Sequence, residues 1–128
     1  MIDHERLAAS AAAIRVCQVL QRYPLQHVSE AELQAEISAA LAAAGIQNDR
    51  EVALSDRRSR IDVLAGRVGI EVKIDGSVAA VNRQLARYAL CPEIDALVLV
   101  TTRAKHSARL EECHGKPIFV CSLIGGGL

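Results

Sequence analysis

Apolar residues recur near helical spacing at Leu7, Ala11, Ile14 and Leu20, which predicts a first helix over residues 5–22, ended by Pro24. Leu33, Ile37, Ala40, Leu41 and Ala44 form a second apolar stripe. Ser29 can cap that helix with Glu32 completing a capping box, and Gly45 supplies its stop. Strand character then takes over in Glu51–Leu54, Arg60–Leu64 and Val68–Ile74, separated by the polar stretch 55–59 and by Gly66-Arg67. The last two segments read as a hairpin. Helical spacing returns over residues 77–90 through Val78, Val81, Leu85, Tyr88 and Ala89, between Gly76-Ser77 and Pro92. Ile94–Thr101 holds the run Ala-Leu-Val-Leu-Val, as expected of a strand covered on both faces at the centre of a sheet. A short helix around 105–112 and a strand over Pro117–Leu123 complete the order ααβββαβαβ.

This order predicts an α/β fold, a mixed β-sheet flanked by helices, in which the helix after the third strand makes the crossover to a parallel neighbour. At 128 residues the expectation is one domain. It divides into an N-terminal helix (1–25), a core (29–102) and a C-terminal helix and strand (103–124), with Gly125-Gly126-Gly127 as a frayed end. Aromatic residues are only Tyr23, Tyr88 and Phe119, so the core is aliphatic and base-stacking platforms are scarce. The formal net charge is zero, yet residues 1–56 carry four Arg against eight acids, and residues 57–128 carry eleven basic against seven acidic. A basic face toward a phosphate backbone is therefore open to the second half, while strong non-specific electrostatic binding is not expected.

No apolar run reaches the roughly 18–20 residues of a membrane span, and Met-Ile-Asp-His-Glu lacks the basic lead of a signal peptide. No membrane association and a cytoplasmic location are expected. The cysteines at 17, 91, 113 and 121 form no CxxC pair and read as small buried hydrophobes. A zinc site from Cys91, His106, Cys113 and His114 fits no familiar ligand spacing. No glycine-rich nucleotide loop precedes a helix, so no nucleotide cofactor is expected.

Chemistry concentrates in Arg60-Ile-Asp62-Val-Leu-Ala-Gly-Arg-Val-Gly-Ile-Glu71-Val-Lys73. Strand alternation sends Glu71 and Lys73 to one face and Ile70, Val72 and Ile74 to the other. Across the hairpin, the carboxylate of Asp62 can reach the same end of the sheet. Two carboxylates at close range resist ionisation unless a cation neutralises them. Mg²⁺ does so with one or two carboxylates, a backbone carbonyl such as that of Val72, and waters; Mn²⁺ is expected to substitute. Lys73 is placed to orient a water and to counter charge on a phosphate under attack.

Asp62 followed by Glu71-Val-Lys73 on a hydrophobic strand resembles the PD-(D/E)XK nuclease superfamily. The resemblance implies a restriction-endonuclease-like αβββαβ core, here from about residue 29 to 102, with an extra N-terminal helix. It departs from the motif in having Ile61 before Asp62 instead of Pro. Ser29-Glu30-Ala-Glu-Leu33-Gln34 is similar to the opening of VRR-Nuc nucleases, which implies Glu30 as the acid on the metal side and Gln34 as its helper. Glu30, Gln34, Ile37 and Leu41 share one helix face, whereas Glu32 is explained by the capping box and Glu36 by a solvated face. Gln84, within Gln84-Leu-Ala-Arg-Tyr88, is similar to the QxxxY element of some branches; its amide would position a phosphate or a water. Tyr88 is expected in the core with its hydroxyl at the surface.

The resemblance implies a metal-dependent DNA endonuclease, with Asp62, Glu71, the Val72 carbonyl and Glu30 at the metal, and Lys73 and Gln84 assisting. Arg57, Arg58, Arg60, Arg67, Arg83 and Arg87 are the expected phosphate contacts. A core of this size favours structure-selective cutting of branched or nicked DNA, including Holliday junctions. A homodimer is expected, so that two sites cut two strands, with the first helix as the candidate dimer surface. The alternatives are a non-catalytic nucleic-acid-binding module and one subunit of a larger nuclease.

Overall fold

A computed structural model describes residues 4–23, 25, 29–103, 105–106 and 111–123. In it, α1 (His4–Arg22) and α2 (Glu30–Ala43) precede β1 (Asp49–Ala53), β2 (Arg60–Ala65) and β3 (Val68–Lys73). Then follow α3 (Val78–Ala89), β4 (Ala96–Thr101), β5 (Glu112–Cys113) and β6 (Lys116–Ser122). The strands form a six-stranded mixed sheet in the order β1-β2-β3-β4-β6-β5. β1, β2 and β3 are successively antiparallel, β3, β4 and β6 run parallel, and β5 closes back on β6 antiparallel. β4, wholly buried, lies in the sheet interior, as its unbroken apolar run predicts.

Each element starts and stops for a local reason. The Ser29 hydroxyl accepts the Glu32 amide at 3.1 Å and caps α2. The helix ends with Gly45, at a φ of 80°, donating to Ala42 and with Ile46 donating to Leu41. That is the paired closure in which a left-handed glycine satisfies the last carbonyls. Ser77 caps α3 in the same way, through the Ala80 amide. Gly66 supplies the positive φ of the two-residue β2–β3 turn.

α1 and α2 cover one face of the sheet, where Val16, Leu20, Leu33, Ile37 and Leu41 meet Val63, Ile70, Val72, Val98 and Val100. α3 covers the other, where Val81, Leu85 and Tyr88 meet Ile61, Leu97, Leu99 and Ile118. α1 is thus part of the core through Ala9, Ala13, Val16 and Leu20, packed on β4 and β6, and its other side leaves Leu7 and Ile14 57% and 44% exposed. Among the described residues no helix is long and apolar enough to cross a membrane.

The structure departs from the expected elements chiefly near the C-terminus. Half of the helix expected at 105–112 falls on residues 107–110, which lie outside the described residues, and its last residue, Glu112, opens β5 instead. The reason is the turn at His114-Gly115, both at positive φ, which folds Glu112-Cys113 back onto Lys116-Pro117. The first strand begins two residues earlier than its composition indicates, and β4 begins only at Ala96. Ile94 is buried ahead of that strand, while Asp95 donates its amide to the Arg67 carbonyl.

Candidate active site

Strand alternation breaks at one level of the sheet. Val63 packs in the α1/α2 layer, but Ile61, two residues earlier, packs with α3. Regular pleating would send both to one side. β1 does the same: Arg50 reaches Gln34 of α2, whereas Val52 packs in the α3 layer. The turnover lies at Glu51 and Asp62, between the register pairs Arg50↔Val63 and Val52↔Ile61. Glu51 takes a φ of 53° there, a left-handed conformation that costs a non-glycine residue on the order of 1 kcal/mol.

This turnover frees Asp62 from the β2–β3 ladder, whose register pairs run from Val63↔Ile70 to Ala65↔Val68. Its Oδ2 accepts the Val72 amide at 2.9 Å, so a carboxylate stands where a neighbouring strand's carbonyl would be. In a strand, the N–H and C=O of one residue leave on the same side, so the Val72 carbonyl also leaves toward Asp62. Glu71 lies beside this pair and is only 2% exposed. Its Oε2 is 3.5 Å from Lys73 Nζ, and its Oε1 has no hydrogen-bond partner. Lys73 retains 21% side-chain exposure and is the solvent-facing member of the group.

Burial, and next the charge of Asp62, push the Glu71 carboxyl up to about 8, with Lys73 opposing. Asp62 is raised as well, by burial first and also by Glu51, against the Val72 amide, Glu71 and Lys73. Both shifts favour the protonated acids, and a divalent cation is a group that would relieve the same repulsion. The orphaned Glu71 oxygen, its neighbour Asp62 and the outward Val72 carbonyl fit a hard, oxygen-seeking ion. Among the described residues no three His, Cys, Asp or Glu side chains converge as a ready-made ligand set, the cysteines and histidines weighed for zinc included.

Glu30 is at the first turn of α2, and its Oε1 accepts the Ile74 amide at 2.9 Å, just past Lys73. It faces the sheet, as its helix position predicts, and is engaged with backbone. Gln34, 4% exposed, accepts two N–H groups of Arg50 at 3.0 and 2.8 Å and donates to Glu51 Oε1 at 3.0 Å. Gln84 donates to the Tyr88 hydroxyl at 2.7 Å, which donates to the Arg60 carbonyl at 3.1 Å. Tyr88 is buried to its hydroxyl and does not reach the surface as expected. Desolvation, followed by the charges of Glu71 and Asp62, holds the phenol far above its ordinary range. Its hydroxyl meets the Arg60 carbonyl of β2, a partner that spacing along the chain does not encode.

The loop behind Lys73 is pinned from three sides. Besides Glu30, Arg103 donates to the Ile74 carbonyl at 2.7 Å, and His106 Nε2 lies 2.9 Å from the Gly76 carbonyl. The carbonyl can only accept, so His106 carries its proton on Nε2. Its Nδ1 lies 2.6 Å from Thr101 Oγ1, which accepts the Arg103 amide at 3.0 Å. Sequence reasoning missed Arg103 and weighed His106 only as a zinc ligand, since both reach the Lys73 loop from far along the chain.

The six arginines separate. Arg57 and Arg58 lie in the loop before Arg60, shaped by Asp56, whose carboxylate accepts the amides of Arg58 and Ser59 and the Ser59 hydroxyl. Those bonds, led by the Ser59 hydroxyl, hold the Asp56 carboxyl down at about 2. Arg58 and Arg87 line one cavity of about 320 Å³ with Asp56, Leu90 and Cys91, and Arg83 is exposed on α3. Arg67 is elsewhere: it sits in the β2–β3 turn, at the opposite end of β3 from Lys73, paired with Asp95 and the Pro92 carbonyl. A cavity of about 550 Å³ also lies at that opposite end, against Asn48, Asp49, Leu64 and Gly66. Glu71 is not among the residues that line it. No family model, no curated protein and no solved structure matches the chain.

Proposed function

We propose that this chain is a metal-dependent DNA endonuclease that hydrolyses phosphodiester bonds. The observation that carries this reading is Glu71: a carboxylate 2% exposed, with one oxygen unpartnered, beside Asp62 and Lys73. A buried carboxyl oxygen left unpaired is costly, and at Glu71, unlike Glu36 whose Oε2 is also unpartnered, a second acid and a lysine stand beside it. Asp62, Glu71 and the Val72 carbonyl would hold Mg²⁺ or Mn²⁺, which when bound polarises a phosphate and acidifies a water. Asp62 is oriented by the Val72 amide. Lys73, the solvent-facing member of the group, attracts the phosphate, orients the attacking water and offsets charge as the bond breaks. Glu30 holds the Ile74 backbone and so the end of the strand that carries Lys73. Gln84, anchored on Tyr88, flanks the site from α3.

The element order α2-β1-β2-β3-α3-β4 supports the finer reading of a restriction-endonuclease-like core, to which the Asp62 and Glu71-Val-Lys73 pattern adds the acids and the lysine. Arg57, Arg58, Arg60, Arg83 and Arg87 are the proposed backbone contacts. We propose structure-selective action on branched or nicked DNA by a homodimer, with the exposed Leu7 and Ile14 side of α1 between copies.

Cleavage of a supercoiled plasmid and of a labelled four-way junction, in Mg²⁺, Mn²⁺ or EDTA, tests the reading. Metal-dependent cutting should fall by at least about 100-fold in Lys73→Ala and in Asp62→Asn. If neither metal supports cutting while both variants stay folded and bind DNA as wild type does, the chain is a binding module.

A further inference from the structure

We propose that the cavity of about 320 Å³ between the β1–β2 loop and the end of α3 takes one unpaired nucleotide of the bound DNA, with preference for a base that carries an amino group. The inference rests on the DNA-binding part of the nuclease reading and adds to it a feature of the substrate, an extrahelical base.

Charge is the first observation. Arg58 and Arg87 reach the cavity from two separate segments, the loop before β2 and α3. Among the described residues neither guanidinium makes a hydrogen bond or an ion pair, whereas those of Arg50, Arg67 and Arg103 are all engaged. Asp56 is the one carboxylate among the lining residues, and it already accepts the Arg58 and Ser59 amides and the Ser59 hydroxyl. Glu93, outside the lining, spends both oxygens on the amide and hydroxyl of Ser55. Two cations against one carboxylate leave the cavity positive, which suits the phosphate of a nucleotide.

The second observation is an apolar wall that the fold does not use. Leu90, at the C-cap of α3, is 65% exposed and outside both core clusters, and it lines the cavity with Cys91 and Pro92. The flat face of a nucleobase buries against such a wall, next to the cations that hold its phosphate. The volume is at the lower end of the roughly 300–1,000 Å³ of ligand pockets. The walls are also tied together before a ligand arrives, because the Ser55 amide and hydroxyl donate to Glu93 at 2.6 and 2.7 Å.

The third observation is what the polar lining offers. The Ser55 hydroxyl has given its proton to Glu93, and the ionised Asp56 carboxylate has no proton to give, so both meet a ligand as acceptors. Three bonds to Asp56 leave it acceptor capacity. Of the four DNA bases, thymine alone lacks an amino group to donate there. The cavity is also built from residues next to the candidate active site. Arg58 lies two residues before Arg60 and Arg87 one before Tyr88, and the Tyr88 hydroxyl that donates to the Arg60 carbonyl feels the charges of Glu71 and Asp62. A base that is already unpaired costs least to turn out of the helix into such a cavity.

Fluorescence anisotropy of the full chain in EDTA, with labelled duplexes carrying no bulge or a single adenosine, thymidine or abasic bulge, tests this without turnover. The adenosine bulge is expected to bind about tenfold more tightly than the plain duplex, the scale of one charge-assisted hydrogen bond. The thymidine and abasic bulges bend the duplex as readily and should fall back toward the plain duplex. Leu90→Ser, at an exposed position, should lose the adenosine preference and keep the plain-duplex affinity. Arg58→Gln with Arg87→Gln should weaken every probe, and the adenosine bulge most. The proposal is overturned if the adenosine bulge and the plain duplex bind alike, if the thymidine or abasic bulge binds as tightly as adenosine, or if Leu90→Ser keeps the preference. Metal-dependent plasmid cutting by a chain with no such preference leaves the nuclease reading and removes the nucleotide site. A preference without cutting in either metal does the reverse, and if no probe binds, both fall.

Discussion

Glu71 is an acid whose protonation the fold controls. Burial and the charge of Asp62 raise it to about 8 from an ordinary 4.5. Across that window the folded chain keeps a proton that the unfolded chain has released. The stabilisation is complete below the ordinary value, and is lost as pH climbs toward about 8. In EDTA the urea midpoint should therefore fall between mildly acidic and mildly alkaline pH. Glu71→Gln, neutral and nearly isosteric, should flatten that slope and be more stable than wild type at the alkaline end. A midpoint that rises with pH in wild type would show that Glu71 is ionised and paired in the folded chain. Added Mn²⁺ should restore stability at the alkaline end in wild type alone, since a ligand that binds only the folded form adds to its free energy.

At the scale of elements, the site depends on how the ends of β3 and β4 are tied together. Thr101 closes β4, and through His106 it reaches the Gly76 carbonyl in the loop that follows Lys73. Both side chains are buried, and α3 starts directly after that loop, capped by Ser77. His106→Ala would strand the Thr101 hydroxyl and the Gly76 carbonyl, a loss of about 2–4 kcal/mol. Urea denaturation checks the magnitude. Cleavage at a temperature where the variant is folded should also fall, because Lys73 would lose one of the three supports behind it. Unchanged cleavage in a folded His106→Ala chain would make the tie structural only. The helices reach the site differently: α2 presents Glu30 and Gln34 to the sheet four residues apart, and α3 presents Gln84 and Tyr88 at the same spacing.

On the scale of the whole molecule, a zero net charge hides an uneven distribution. Five acids of the first half, Glu30, Glu32, Glu36, Asp49 and Glu51, lie on α2 and β1, whereas Arg57, Arg58, Arg60, Arg83 and Arg87 belong to the segments around the α3 face. DNA binding through these side chains should weaken as salt rises, with each phosphate contact adding about 0.9 to the log–log slope. The double variant Arg83→Ala with Arg87→Ala should shallow the slope by about two such contacts. Arg67→Ala, at the other end of β3 and already paired with Asp95, should leave it unchanged. Filter binding at several salt concentrations in EDTA measures this apart from cleavage. A slope altered by Arg67→Ala and not by the α3 pair would move the interface to the opposite end of the sheet.

What the sequence by itself determined is what short-range physics decides. Apolar periodicity, the Ser29 cap, the Gly45 and Gly66 turns and the unbroken Ala96–Val100 run specify helices, hairpin and central strand from neighbours along the chain. Alternation likewise sends Glu71 and Lys73 to one face, with Asp62 across the hairpin. Only the tertiary structure decided which acids are buried and which groups meet them. Glu51 reads as an ordinary exposed strand residue until its left-handed turn is seen opposite Asp62. Gln34 acts through Arg50 and Glu51, and Tyr88 buries its hydroxyl on the Arg60 carbonyl. His106 and Arg103 reach the Lys73 loop from the segment after β4, a strand that joins β3 through a crossover. β5 exists because a two-residue turn, both at positive φ, folds a polar pair onto β6, a pairing with no apolar pattern of its own. In each case the partner lies beyond the reach of periodicity, which reports the side a residue faces and not what stands on that side.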